Sequence, residues 1–325
     1  MRESTQCLPR RRFLQVIGAG ALRLTASAAA GAKPLRGIFP IAQSPFTDAD
    51  RLDLDCLVDQ VRFLDHGRVH GCVWPQIASE WSTLSEAERL AGAEALISTG
   101  KKFRPAIVIG VQAPDPATAV KYAKHAAKAG ADALISLPPA GADPRGFLEY
   151  YKTVGSATDL PLFAQAVGDV SVDQLIQLYK SVPTLRYVKD EAGQPLERVG
   201  PLLEKSSGEL KMFTGNHGKT LIDEMIRGFS GSMPAAGFAD LYAAAWDLWH
   251  EGKQREAVEI YGKAAILIQE VTVYGMESLK YLLCLRGVFK TYGARGKAAA
   301  RTHLDDRTRQ VLAQMLDLMK PYLRA

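Results

Sequence analysis

The segment LRYVKDEAG, residues 185–193, begins as an apolar strand and ends in a lysine, two acids and a glycine. Strand side chains alternate between faces with a period of two, so Leu185, Tyr187 and Lys189 are expected to point the same way. An ammonium group aimed where a leucine and a tyrosine go is either a solvated strand end or an amine held out of water for chemistry. Burial among apolar groups disfavours the charged form of an amine. A neutral lysine amine attacks ketones and gives a Schiff base that serves as an electron sink. Two further segments carry polar groups in similar places. TGNHGKT (214–220) holds Asn216 and His217, and QIASE (76–80) ends in Glu80. A histidine titrates in the range useful for proton transfer. A loop histidine making a structural hydrogen bond, and a carboxylate capping loop amides, are the plainer readings of His217 and Glu80.

The elements that would position these groups recur along the chain. Short apolar runs lie at 37–43, 71–74, 105–111, 132–137, 161–167, 185–189, 211–215 and 229–233. Segments of helical period separate most of them, for example LDCLVDQVRFLDHG and VDQLIQLYKSV. Ser85 and Glu88 form an S-x-x-E capping box at one helix start, and Gly130 closes another helix. Eight strands alternating with helices predict an α/β fold, a (β/α)8 TIM barrel over 36–238. A doubly wound open sheet is the rival, but SPFTDADR follows the first strand where that fold would carry a glycine-rich phosphate loop. Beyond residue 238 only helices are expected, near 239–250, 253–272, 275–287 and 303–322, forming a C-terminal helical extension over 239–325. Val311, Leu312, Met315, Leu316, Leu318 and Met319 form an apolar stripe best read as core packing. In the barrel, Lys189 falls at the carboxyl end of the sixth strand, the face where such barrels place their chemistry.

Composition narrows the function classes. Hydrophobic residues make up 47% and charged residues 23% of the 325, ordinary for a folded soluble domain. Residues 1–32 differ from the rest. Arg10, Arg11 and Arg12 run into Phe13 and Leu14, a mildly apolar Ala/Gly-rich stretch follows, and several A-x-A sites close it. This is a signal-peptide layout whose R-R-x-F-L run is similar to a twin-arginine export signal. The expected destination is the periplasm, with the twin-arginine export machinery as a partner. The segment holds five arginines and one acid, so it supplies four of the five net positive charges. A remainder near neutrality gives no case for nucleic-acid binding. Cys56, Cys72 and Cys284 are the cysteines outside it, an odd number without C-x-x-C spacing, which argues against a disulfide framework or a zinc site.

These residues, taken together, resemble the dihydrodipicolinate synthase / N-acetylneuraminate lyase family of Schiff-base aldolases. The resemblance spans nearly all of 36–290, through RGIFPIAQSPF (36–46), SEWSTLSEAER (79–89), PAIVIGV (105–111), AKHAAKAGADALISLPP (123–139), ATDLPLF (157–163) and YVKDEAG (187–193). The family's K-[DE]-x-x-G segment is matched by Lys189, Asp190 and Gly193. The resemblance implies Lys189 as the imine-forming residue for pyruvate or another 2-keto acid, and a homo-oligomer; no metal site is evident in the sequence, and the imine mechanism needs no cofactor.

Departures from the family pattern bear on chemistry. The family's G-T-T-G-E, which binds the keto acid's carboxylate, reads Q-I-A-S-E here. Ile77 and Ala78 replace the threonines and Ser79 a glycine, leaving backbone amides and the Ser79 hydroxyl to hold an anion. Gln165 stands where the family's proton-relaying tyrosine is expected, and an amide is no general acid near neutral pH. PPAG (138–141) replaces the PYYN that often follows the fourth strand, and Val170 falls near an expected arginine. Two readings follow. One is an exported Schiff-base lyase, an aldolase or dehydratase acting on a 2-keto acid or sugar acid, with His217, Glu80 or water moving protons and Gln165 and Asn216 contacting substrate. The other is a catalytically impaired relative that binds such an acid without turnover.

Overall fold

Every residue of GCVW (71–74), AIVIG (106–110), ALIS (133–136) and LFAQA (162–166) is buried. Strands covered on both faces are apolar throughout rather than alternating, and parallel sheets wrapped by helices are built of such strands. The computed structural model describes residues 32–296 and 304–325. The expected export signal therefore lies outside the described residues, apart from Ala32.

The chain alternates strand and helix. It runs β1 (Gly37–Ile38), α1 (Leu54–His66), β2 (Gly71–Trp74), α2 (Glu86–Gly100), β3 (Ala106–Gly110) and α3 (Pro116–Ala129). It continues through β4 (Ala133–Ser136), α4 (Pro144–Gly155), β5 (Leu162–Ala166), α5 (Val172–Ser181), β6 (Leu185–Asp190) and α6 (Pro195–Lys205). β7 (Lys211–Thr214), α7 (Leu221–Ile226), β8 (Gly231–Ser232) and α8 (Ala239–His250) complete the barrel. Then come α9 (Gln254–Tyr274), α10 (Met276–Leu285) and α11 (Asp306–Met319). The eight strands form one parallel sheet in the order β1-β8-β7-β6-β5-β4-β3-β2. Ile41 bridges Val73 on one side and Ala235 on the other, and Ala42 N donates to Val73 O at 2.9 Å. These bonds nearly close the sheet into the predicted TIM barrel.

Local signals place the helices. Ser85 accepts from Glu88 N while the Glu88 carboxylate accepts from Ser85 N, the full capping box. Gly130 ends α3 at φ +92°, a left-handed position that favours glycine. The domain boundary expected at residue 238 cuts the barrel one helix early. α8 belongs to the eighth β/α unit, and Arg36, just before β1, lies over its Trp246 ring at 5.6 Å. The C-terminal region begins at α9. The apolar stripe of α11 is core packing through Leu312, Leu316 and Met319, but Leu318 points outward and is 62% exposed.

Two layers of side chains fill the fold. Phe39, Ile41, Val73, Val108, Ile135, Phe163, Phe213 and Met233 pack inside the barrel with Tyr187 against them. A larger outer layer joins strands to helices and contains Leu185 and Val188. The expected alternation of Leu185, Tyr187 and Lys189 is therefore broken once. The register of β6 against β5 slips between Leu162 and Phe163, pairing Leu162 with Leu185 but Phe163 with Tyr187. The extra residue, Arg186, makes a bulge that turns Leu185 outward and sets the phase of the rest of the strand.

The seam between β1 and β8 is the tightest contact. Gly37 pairs with Gly231, and a Cβ on Gly231 would meet the Gly37 carbonyl oxygen at 2.1 Å. Gly231→Ala should destabilise the fold by about 1–3 kcal/mol, because backbone cannot yield as a side chain does. Gly200 in α6 has nothing within 4 Å of its missing Cβ, so Gly200→Ala should stabilise by about 0.5–1 kcal/mol. Urea melts of the two variants should move in opposite directions; a neutral Gly231→Ala would contradict the close seam.

Candidate active site at the carboxyl end of the barrel

Past the bulge, Tyr187 and Lys189 share the inner face of β6. Tyr187 stacks on Phe163 with ring centroids 4.3 Å apart. Lys189, one layer nearer the carboxyl end, is 5% exposed and borders a cavity of about 280 Å³. Asp190 takes the other face. Its carboxylate accepts from Arg198 Nε at 2.7 Å and from Ala192 N at 3.2 Å, fixing the turn into α6. Burial nonetheless pushes the Asp190 carboxyl above its ordinary value, with Arg198 opposing.

The partner of the lysine is Glu191. Lys189 Nζ lies 2.8 Å from Glu191 Oε2. Gln165 Nε2 donates to the same oxygen at 2.6 Å, and Asn216 N donates to Oε1 at 3.2 Å. Burial acts to raise the Glu191 carboxyl, but the Lys189 ammonium and these donors outweigh it and hold it below its ordinary value of 4.5. Gln165 is placed by register, since it pairs directly with Lys189 across β5 and β6. Its backbone N–H donates to the Tyr151 hydroxyl at 3.1 Å. The Gln165 Oε1 atom is buried and has no hydrogen-bond partner among the described residues.

β7 brings the third wall. Gly215 follows it, and a Cβ there would lie 1.9 Å from Glu191 Oε1 and 2.7 Å from Lys189 Cε. Only glycine leaves room for the ion pair. Asn216, His217 and Gly218 then adopt positive φ of 48°, 58° and 63°. Left-handed non-glycine residues cost on the order of 1 kcal/mol each and persist where the surroundings demand them; here the turn aims the Asn216 amide at Glu191. His217 lines the cavity, half-buried. Burial first, and then Lys219, lower its pKa from 6.5, which favours neutral imidazole.

Opposite, Ile77 and Ala78 line the cavity from the turn after β2. Their amides precede the first internal bond of that turn, Ser79 N to Gln76 O at 2.9 Å. Ser79 itself is not brought in. Its hydroxyl donates to Ala42 O at 2.5 Å and accepts from Gln76 N at 3.0 Å. Glu80 is also held away from the cavity. It sits at φ +56°, its carboxylate paired with the buried Lys280 of α10 and accepting from Arg295 N at 2.5 Å. That pair ties the turn to the C-terminal region. Trp74 is wholly buried in the outer layer, and the Arg89 guanidinium lies over the Trp81 ring.

Of the residues singled out in the sequence, the structure gathers Lys189, Gln165, Asn216, His217, Ile77 and Ala78 around one cavity and leaves Ser79 and Glu80 outside it. Glu191 and Gly215 were missed. The signal for Glu191 was present, since it follows Lys189 by two and so shares its face.

The Glu191 pairing carries a pH dependence. A carboxyl held low in the fold binds its proton less readily folded than unfolded. Its contribution is complete above the ordinary value and is lost as the pH falls through the lower folded one. The stability difference between the native chain and Glu191→Gln, taken from urea melts, should narrow between pH 7 and pH 3. A gap unchanged by acid would deny the pairing.

A model of the "Dihydrodipicolinate synthetase family" matches residues 34–316. A 4-hydroxy-tetrahydrodipicolinate synthase of Methanococcoides burtonii is 25% identical over 242 residues, covering 72% of this chain and 81% of that one. A probable 2-dehydro-3-deoxy-D-pentonate aldolase of Escherichia coli is 27% identical over 261 residues, 76% and 84% of the two chains. Among solved structures, dihydrodipicolinate synthase from Rhodopseudomonas palustris superposes with a TM-score of 0.79 at 24% identity, over 88% of this chain and 99% of that one. A prophage protein of Escherichia coli, solved in complex with pyruvate, gives 0.80 at 19% identity over 88% and 99%. The match of the family model over most of the barrel and its C-terminal helices means that this chain belongs to the dihydrodipicolinate synthetase family.

Proposed function

We propose that the chain is a Schiff-base-forming lyase, an aldolase or dehydratase, that acts on pyruvate or another 2-keto acid through Lys189. The observation that carries this reading is a nearly buried primary amine at the carboxyl mouth of a barrel, bordering a cavity of about 280 Å³. A space of that size suits a small acid rather than a large cofactor or a polymer. Lys189 attacks the ketone, and the iminium that results withdraws electrons from the neighbouring bond. The amides of Ile77 and Ala78 hold the acid's carboxylate.

Recognition of the rest of the substrate falls to neutral groups. Lys189 and Glu191, already paired, are the only Lys, Arg, Asp or Glu among the described lining residues. A second carboxylate finds no unpaired lysine or arginine there. Gln165 Oε1 and the Asn216 side chain instead offer hydrogen bonds to hydroxyls, which favours a sugar-derived keto acid. The similarity to a 2-dehydro-3-deoxy-D-pentonate aldolase supports this reading. Residues 1–32 would direct the protein through the twin-arginine export machinery to the periplasm, where it would act as a homo-oligomer. Gln165 in place of a tyrosine favours a second reading, a protein that binds the acid without turnover.

The test is reductive trapping. The protein is incubated with pyruvate and with hydroxylated 2-keto acids, treated with borohydride, and its intact mass measured. The expected result is one reduced adduct mapped to Lys189 and absent from Lys189→Ala. No adduct in a folded protein with any of these acids would sink the lyase reading.

A further inference from the structure

We propose that Glu191 carries the protons of imine formation, in the role that a tyrosine at position 165 would otherwise fill; this rests on the Schiff-base reading of Lys189. A carrier must reach the reacting nitrogen, hold a lone pair and be fixed in place. Glu191 Oε2 is 2.8 Å from Lys189 Nζ, and Gln165 Nε2 and Asn216 N each hold one of its two oxygens. Gln165 thus positions the carrier instead of being one.

Asp190, Tyr150 and Tyr151 are engaged elsewhere. Asp190 faces outward onto Arg198. The Tyr151 hydroxyl donates to Ser136 O at 2.6 Å, and the Tyr150 hydroxyl pairs with Ser136 Oγ at 2.7 Å. His217 borders the cavity, but its ring makes no hydrogen bond to Lys189 or Glu191 among the described residues.

The step balances on these two side chains and the keto acid. The Lys189 ammonium gives one proton to the Glu191 carboxylate and becomes a free amine. The amine forms a C–N bond to the ketone carbon while Glu191 returns the proton to the carbonyl oxygen. Glu191 then takes a proton from the nitrogen of this carbinolamine and delivers it to the hydroxyl. The C–O bond breaks, water leaves, and an iminium remains with Glu191 again a carboxylate. The substrate expected is one whose acceptor portion is uncharged, since an anion would lie against Glu191.

Glu191→Gln separates this role from a purely electrostatic one by sign. A carboxylate that only held the ammonium's charge would slow attack, so its removal would speed trapping. A proton carrier does the reverse. The rate of borohydride trapping with pyruvate at pH 7 should fall by about 100-fold or more in Glu191→Gln, with the adduct still on Lys189 and pyruvate still raising Tm. Glu191→Asp keeps the charge, and with it the fold, but withdraws the carboxylate by one methylene; it should trap at least about tenfold more slowly than the native chain. Native-like or faster trapping in either variant overturns the assignment and leaves the Lys189 reading standing. No adduct on the native chain itself overturns both.

Discussion

A buried ammonium needs a counter-charge, and much of this site follows from how that need is met. Removing a lysine from water without a partner costs several kcal/mol. Here the partner is supplied two residues along the same chain, 2.8 Å away. A carboxylate brought inside in turn needs donors. Gln165 is one and the Asn216 amide another. Space for the pair requires a residue without a Cβ at 215, and the Asn216 amide opens a turn of three left-handed residues in succession. Gln165, which looks like a lost tyrosine, becomes intelligible as a group that holds Glu191.

The barrel provides the rigid frame for this arrangement. Its interior is filled by aromatic and branched side chains up to the level of Tyr187, so Lys189 stands on a packed floor. The bulge at Arg186 sets which β6 residues face in. Asp190, pinned outward by Arg198, keeps the chain from rotating the neighbouring Lys189 and Glu191 out of the mouth. On the far wall, the turn bearing Ile77 and Ala78 is braced from behind by Ser79 and by the Glu80–Lys280 pair. The C-terminal helices thus support the site without contributing a lining residue among those described.

What could be read from the sequence was local. The eight strands were visible because runs such as PAIVIGV are apolar throughout, the capping box because Ser85 and Glu88 are three apart, and Lys189 because it ends a strand. The place of Gln165 followed from the resemblance to the family, which puts a tyrosine at the end of the fifth strand. What escaped reading depended on distant parts of the chain. Glu80 was readable as a structural carboxylate but its partners were not, because nothing near it in sequence announces Lys280 or Arg295. Leu185 was assigned to the inner face because a bulge depends on the register of the neighbouring strand. Glu191 was overlooked although the alternation that singled out Lys189 applies to it equally. The limit of the barrel was drawn before α8 because a barrel helix and an appended helix have the same period.

The central claim is that the Lys189 amine forms an imine with a 2-keto acid. Its most direct test needs neither a reductant nor a known acceptor. An iminium of pyruvate loses C3 protons readily and regains them from solvent, so the enzyme in D2O should exchange the pyruvate methyl signal, followed by proton NMR. The account predicts exchange by the native chain well above the buffer rate and none by Lys189→Ala. Exchange undiminished in Lys189→Ala, or absent from the folded native chain at saturating pyruvate, would contradict it.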